Sequence, residues 1–287
     1  MTTAQHEKIV ANADRLLAVL ASYVRAAIAF SGGVDSTVVA KAAQLALGSN
    51  AVAITGTSAS LAQGELENAQ VLAAQIGIRH IVLKTDEFAD PAYVANAGDR
   101  CYHCKSELYD EILKRQDELA FDIVCSGANL DDLGDYRPGL NAAAERNIRH
   151  PLQEANFTKS MVRDLASLWG LPNHDKPASP CLSSRIAVGL EVTPDRTRRI
   201  DLAEQFLRSQ GFETVRVRYH PGDHARIEAA EKDLQRLMGS NLRSEISAKF
   251  KSYGFHFVSV DIEPFRSGSL NILVPEEMLI RSTRTIG

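Results

Sequence analysis

The chain has 287 residues, 45% of them hydrophobic and 24% charged, which suits a globular protein with room for two compact units. Its 32 Lys and Arg against 36 Asp and Glu leave a net charge of −4, so no global basic field draws it to nucleic acid or an anionic membrane. The N-terminus is polar, no apolar run approaches membrane-spanning length, and the 4 cysteines are too few for a disulfide scaffold; a cytoplasmic protein with reduced thiols is expected. In chain order, Ala26–Phe30 reads as a buried strand and Thr37–Leu47 as a helix. Ala51–Thr55 is strand-like, Ser60–Ile76 carries apolar residues at helical spacing, and His80–Leu83 is a further strand. Glu107–Ala120 reads as a helix and Ile123–Ser126 as a strand ending at Gly127. This alternation predicts an α/β fold with a doubly wound parallel sheet covered on both faces. Ligands of such sheets bind beyond the carboxyl ends of the strands, where Ser31–Ser36, Thr55–Thr57 and Gly127–Asp132 are expected to converge.

Composition shifts at Asn173–Pro194, a stretch rich in Pro, Ser and Gly and too long for an ordinary connection. Beyond it come a helix over Asp195–Gln210, strands at Val215–Tyr219 and Ala225–Glu228, a helical Ala230–Tyr253 and a strand at His256–Ile262. The expected organisation is a nucleotide domain over 1–175, an interdomain segment over 176–194 that carries Cys181, and a smaller α/β domain over 195–287.

The segment Ser31-Gly32-Gly33-Val34-Asp35-Ser36 lies between the first strand and its helix. Glycines let the backbone bend tightly toward a ligand, and a helix start offers unpaired N–H groups and partial positive charge, an arrangement suited to phosphate. The Lys-Ser/Thr ending of the common P-loop is missing, so hydroxyls and backbone amides must hold the anion. The segment resembles the Ser-Gly-Gly-x-Asp-Ser signature of ATP pyrophosphatases, which split ATP between its α and β phosphates and adenylate a substrate. A second motif, Gly127-Ala-Asn129-Leu-Asp131-Asp132, also follows a strand. Its carboxylates suit Mg²⁺, to be shared by Asp35 and Asp132; the plainer reading is a polar turn capping the next helix. Arg137, shortly after, suits a phosphate or carboxylate contact, or a surface ion pair.

Cys101 and Cys104 stand three apart, on one face if helical, and Cys181 lies far along the chain. Cys125, in an apolar strand, reads as a small buried hydrophobe. Zinc, a redox dithiol, iron–sulfur ligation or no ligand at all are open for the pair; three thiolates with a vacant fourth position suit a [4Fe–4S] cluster.

Ser31–Ser36, Asp99–Lys105, Gly127–Gly139 and especially Lys176-Pro-Ala-Ser-Pro-Cys181-Leu-Ser-Ser184-Arg185-Ile186 resemble the LarE family of ATP-dependent sulfur transferases. The likeness continues through Val215-Arg216-Val-Arg218, Ala225-Arg-Ile-Glu228 and Phe265-Arg266-Ser-Gly-Ser269. It implies adenylation of a carboxylate of pyridinium-3,5-biscarboxylate mononucleotide and its conversion to a thiocarboxylate for a nickel-pincer nucleotide. It further implies that ATP is held by Ser31, Gly32, Gly33, Asp35, Ser36, Thr55, Gly127, Asn129 and Asp132. The substrate falls to Arg137, Ser184, Arg185, Arg216, Arg218 and Arg266. Glu204 and Glu228 match acidic positions that bind metal or support subunit contacts, and a homo-oligomer, a hexamer by the resemblance, is implied. Nickel-insertion and carboxylase proteins of the same pathway are the implied partners.

The family uses two sulfur sources. In one, the cysteine matching Cys181 attacks the acyl-adenylate and gives up its own sulfur; in the other, three cysteines hold a cluster that carries hydrosulfide. The Cys101–Cys104 pair favours the cluster, with Asp35 and Cys181 as the catalytic residues. Competing readings are an amide-forming synthetase like NAD synthetase, which needs ammonia rather than cysteines, and a non-catalytic nucleotide or redox sensor, which has little use for Asp131–Asp132.

Overall fold

The computed structural model describes residues 2–134, 137–266 and 268–274; Asp135, Tyr136 and Ser267 of the quoted motifs and the expected tail of the second domain, 275–287, lie outside these. The first helix, α1 (Thr3–Ala21), is started by a capping box in which Thr2 Oγ1 accepts from Gln5 N and Gln5 Oε1 accepts from Thr2 N. Next come β1 (Ala26–Ala29), α2 (Val34–Leu47), β2 (Ala51–Thr57), α3 (Glu65–Ile76) and β3 (Arg79–Lys84). The short α4 (Pro91–Ala95), α5 (Arg100–Leu113) and α6 (Gln116–Leu119) precede β4 (Ile123–Cys125). Then follow α7 (Pro138–Glu145), α8 (Pro151–Glu154) and α9 (Lys159–Leu168).

The four strands run parallel in the order β3-β2-β1-β4, with Ala26 in register with Ala51 on one side and Ile123 on the other. Side chains alternate across a strand, and the packing follows that period. Ala26, Ile28, Ala51 and Ala53 face a core made with Leu16, Val38, Ala73 and Leu165 from α1, α2, α3 and α9. Ala27, Ala29, Val52 and Ile54 face the opposite core with Tyr109, Ile112, Leu119 and Ala143 from α5, α6 and α7. Helices therefore cover both faces, the expected doubly wound arrangement. The chain moves outward from β1 to β3 and then returns to β4 on the far side of β1. β1 and β4 are thus neighbours whose following helices, α2 and α7, leave toward opposite faces, the switch point at whose crevice ligands of such sheets bind.

The second sheet is built from β5 (Val215–His220), β6 (His224–Ala229) and β7 (Phe257–Val260), with α10 (Pro194–Ser209), α11 (Glu231–Leu237) and α12 (Ser240–Ser252). β6 is central, antiparallel to β5 and parallel to β7. One face, with Val215, Val217, Tyr219, Ala225 and Ile227, packs on Ile200, Ala203 and Leu207 of α10 and Ile246 and Phe250 of α12. The alternate positions place Arg216, Arg218, Arg226 and Glu228 on the other face. Tyr93, Leu182, Ile186 and Val192 join this second core, so α4 and the Cys181 segment are bound into it.

Several boundaries differ from the sequence expectation; α2 begins at Val34 rather than Thr37. The helix expected from Ser60 starts at Glu65, because Gly64 takes a left-handed φ of 85°. The helix expected over Glu107–Ala120 already begins at Arg100, placing Cys101 and Cys104 in its first turns, and it ends at Leu113 before the separate α6. The run Ala230–Tyr253 is two helices, since Gly239 is extended and caps α12. Among the described residues no helix is long and apolar enough to cross a membrane.

Candidate active site

β1 delivers its chain into a turn where Gly32 has φ 69°, a conformation that costs glycine nothing. The turn is knitted by its own hydroxyls: Ser31 Oγ lies 3.1 Å from Ser36 Oγ, Ser36 Oγ donates to Gly33 O at 3.0 Å, and Thr37 Oγ1 donates to the same carbonyl at 2.9 Å. Behind it, Asn173 Nδ2 donates to Gly32 O at 3.0 Å and Thr37 Oγ1 at 2.9 Å. The loop after β4 meets this turn directly. A Cβ on Gly127 would stand 2.7 Å from Ser36 N and 3.1 Å from the Asp35 carbonyl carbon, so only glycine fits. Gly127→Ala is expected to force these backbones apart at about 1–3 kcal/mol and to weaken ATP binding more than stability; calorimetric titration beside a thermal melt checks the split.

Asp35, in the first turn of α2, is the hub of the crevice. Its Oδ1 accepts from Asn129 Nδ2 at 3.0 Å, and its Oδ2 is paired with Lys159 Nζ. Asn129 N donates to Asp132 Oδ2 at 2.9 Å, so both candidate Mg²⁺ carboxylates meet on one residue. Asp132 also pairs with Arg137 Nη2 at 2.9 Å. Asp131 Oδ2 instead accepts from Lys159 N at 2.8 Å, holding the start of α9 against the second motif. Lys159 and Asn173 are therefore part of the site and were not singled out from sequence. Thr55 reaches the carboxyl end of β2, but its hydroxyl donates to Phe30 O at 2.7 Å and lies 2.8 Å from His80 Nε2. That places its hydroxyl within the sheet rather than in the phosphate turn.

The four cysteines are free thiols, with Cys101 exposed, Cys104 and Cys181 partly exposed and Cys125 fully buried in the first core. Burial pushes the Cys104 thiol well above its ordinary range, and the neighbouring Cys181 and Glu87 charges push it further. Burial works against the charge of Arg100, yet Cys101, Cys181, Tyr93 and Cys104 more than offset it and raise its pKa. Cys101, Cys104 and Cys181 thus share one electrostatic neighbourhood, with Lys105 beside them. Among the described residues, no three His, Cys, Asp or Glu side chains are gathered as ligands of a single ion. The donor set, three thiols beside two cations, suits a sulfur-rich anionic group in kind rather than a lone ion.

Residues 16–103 match the asparagine synthase family. Over 257 residues the chain is 38% identical to the pyridinium-3,5-bisthiocarboxylic acid mononucleotide synthase of Lactiplantibacillus plantarum, covering 89% of this chain and 92% of that enzyme. The chain belongs to the LarE family. An uncharacterized protein from Synechocystis is 48% identical over 247 residues, which is 86% of this chain and 92% of its own. A tRNA-specific 2-thiouridylase from Ruegeria is 27% identical over 194 residues, covering 54% of this chain and 50% of that protein. LarE membership makes this an ATP-using enzyme of the PP-loop superfamily.

The LarE-like residues of the second half are more occupied than their sequence implies. Arg185, expected to face substrate, is 1% exposed. Its Nε donates to Glu204 Oε1 at 3.0 Å, and its Nη1 donates to Pro180 O, to Cys181 O at 2.9 Å and to Ser184 Oγ at 3.1 Å. It is an anchor of the Cys181 turn, not a group presented to a ligand. Ser184 likewise donates to Cys181 O at 2.7 Å. Arg218 donates to Glu228 Oε2 at 2.8 Å and to Ser269 Oγ at 3.0 Å, while Arg266 is exposed and paired with Glu263. Arg216 stacks over Phe265 and donates to Ala178 O at 3.1 Å. Burial, and then repulsion from Arg185, lower its pKa to about 10.

Glu204 sits fully buried among Arg185, Arg208 and the Val217 amide. Burial opposes its charge, but Arg185, then Arg216 and Arg208, prevail and hold its carboxyl below the usual range. Glu204→Ala leaves Arg185 buried and unpaired, an expected loss of about 3–5 kcal/mol in denaturant titration. A depressed carboxyl stabilises the fold above its unfolded pKa of about 4.3 and stops doing so as pH falls through the lower folded value. The gap between native and Glu204→Ala proteins should accordingly narrow in strong acid.

Proposed function

We propose that this LarE-family enzyme is an ATP-dependent sulfur transferase. It activates a carboxylate of pyridinium-3,5-biscarboxylate mononucleotide as the acyl-adenylate, releasing pyrophosphate. A sulfur nucleophile then adds to the acyl carbon, AMP leaves with the C–O bond pair, and a thiocarboxylate remains. The observation that carries this reading is the likeness to the Lactiplantibacillus synthase over most of both chains. The crevice supports it physically. N–H groups at the start of α2, with Ser31 and Ser36, suit the pyrophosphate leaving unit. Asp35 and Asp132, joined through Asn129, offer the oxygen ligands that Mg²⁺ prefers, and the ion would neutralise phosphate charge there. Arg137, Arg216, Arg218 and Arg266 are the cationic groups for the substrate's phosphate and carboxylates, and Ser184, whose carbonyl accepts from Arg218 at 3.4 Å and whose hydroxyl donates to Cys181 O at 2.7 Å, links Arg218 to the cysteine turn.

For the sulfur source, Cys101, Cys104 and Cys181 would hold a [4Fe–4S] cluster, which when bound supplies an open iron able to carry hydrosulfide. A second reading is the other sulfur source of the family. In it, Cys181 alone forms a thioester with the acyl group, and cleavage of its own Cβ–S bond leaves dehydroalanine. We also propose a homo-oligomer, in line with the family resemblance. The test of the first half-reaction is the nucleotide product: with acceptor present, AMP and pyrophosphate should appear in equal amounts. ADP and phosphate would sink the reading.

A further inference from the structure

The carboxylate of Glu87, 2% exposed, lies just after β3 and belongs to none of the motifs above. A carboxylate so far from water needs donors, and two are supplied from the end of β2. Ser58 Oγ donates to Glu87 Oε1 at 2.5 Å and Ser60 Oγ donates to the same oxygen at 2.7 Å. Charge-assisted bonds of this kind are about twice as strong as neutral ones. The turn they fix, 58–60, continues the strand beside β1 and the phosphate turn. Its Ser60 carbonyl accepts from Leu182 N at 2.9 Å, the residue next to Cys181.

Two further bonds from the same stretch run in parallel. Tyr93 OH lies 2.7 Å from Ser183 Oγ, and Asn96 Nδ2 donates to Ala187 O at 2.9 Å. Tyr93 and Asn96 pin residues further downstream, and Glu65 at the start of α3 holds Lys176 and Ser179 upstream, whereas the Glu87–Ser60–Leu182 chain ties the residue next to the cysteine to the end of β2, the strand beside the nucleotide turn. We infer that Glu87 is a positioning residue: by clamping Ser58 and Ser60 it sets where Cys181 stands relative to the acyl-adenylate.

The inference rests on the reading of Cys181 as the sulfur-transfer residue and makes a demand that the adenylation step does not share. Misplacing a reacting group by about 1 Å costs on the order of a hundredfold in rate. Glu87→Ala should therefore slow sulfur transfer by about ten- to a hundredfold while the rate of the first-turnover pyrophosphate burst with acceptor, the measure of adenylation, stays near native. Glu87→Gln keeps an oxygen that accepts both hydroxyls and should restore most of the transfer. A readout independent of turnover is iodoacetamide labelling followed by peptide mass spectrometry. Cys181 in Glu87→Ala should label about threefold faster or more, as expected of a locally loosened segment, with Cys101 unchanged.

Parallel loss of adenylation and transfer would overturn the inference and make Glu87 a general support of the fold. So would native transfer and native Cys181 labelling in Glu87→Ala, or a Glu87→Gln enzyme as slow as Glu87→Ala. If Glu87→Ala does not fold, Ser60→Ala carries the same test with a smaller effect in the same direction. Failure of the sulfur-transfer reading itself is seen separately, as transfer that survives Cys181→Ala, and leaves the labelling result to decide the role of Glu87.

Discussion

Asp35→Ala is expected to abolish ATP-dependent pyrophosphate release, a loss of about a hundredfold or more, while the melting temperature falls by only a few degrees. The large term is chemical. Asp35 is the carboxylate nearest the phosphate turn, and without it Asp132 alone cannot place a cation against the leaving group. The small term is structural. Lys159 loses its partner but is partly exposed, so water solvates it at little cost. Asn129, buried, loses one acceptor, worth about 1–2 kcal/mol. Asp35→Asn tests the division, since it keeps an oxygen for Asn129 but removes the charge; its activity should stay near that of the alanine variant. Lys159→Met leaves Asp35 in place and should be the milder change. Pyrophosphate release and differential scanning fluorimetry on the same samples decide it: a well-folded Asp35→Ala enzyme with native release would remove Asp35 from the chemistry.

Much of this crevice is legible in the sequence because its parts are local. Ala26–Phe30 is an apolar run short enough to be a strand, and Gly32 and Gly33 mark the turn that follows. Gly127 and Asn129 declare themselves in the same way, at the end of the apolar run Ile123–Ser126. Lys159 does not. Its partner Asp35 is 124 residues away, and nothing near Lys159 in the chain marks it out from other lysines opening a helix. Asn173 is equally silent, a lone amide at the start of a Pro-rich stretch. Arg185 misleads for the opposite reason. An arginine after Ser-Ser in a polar segment reads as exposed, and only the packing of α10 brings Glu204 beneath it and closes it off. The start of α5 was hidden because Cys-Tyr-His-Cys-Lys lacks a clean apolar stripe, and its burial against the second core comes from residues far along the chain. α1, by contrast, carries a readable stripe at Ala13, Leu16 and Leu20.

Cys181→Ala should still release pyrophosphate and form the acyl-adenylate, with AMP freed only as water hydrolyses it, while sulfur transfer falls below detection, because adenylation needs only the crevice and transfer needs a sulfur beside it. The other thiols then tell the two sulfur sources apart. Cluster ligands act as a unit, so under the cluster reading Cys101→Ala and Cys104→Ala each lose visible absorbance, iron and sulfide, and transfer together. Under the sacrificial reading both retain transfer, and Cys181 in the native enzyme loses mass equal to hydrogen sulfide, one sulfur per turnover, leaving dehydroalanine. Cys125→Ala serves as the control. Its thiol is fully buried in the first core, and burial pushes its pKa up, so it is a poor nucleophile and a poor ligand. It should change neither absorbance nor transfer, at a stability cost of about 1 kcal/mol for the small cavity left. Anaerobic purification with iron and sulfide analysis, followed by intact-mass spectrometry after a single turnover, separates the outcomes. Transfer that survives in Cys181→Ala would exclude both sulfur sources and require a sulfur donor that uses neither Cys181 nor a cluster it helps to hold.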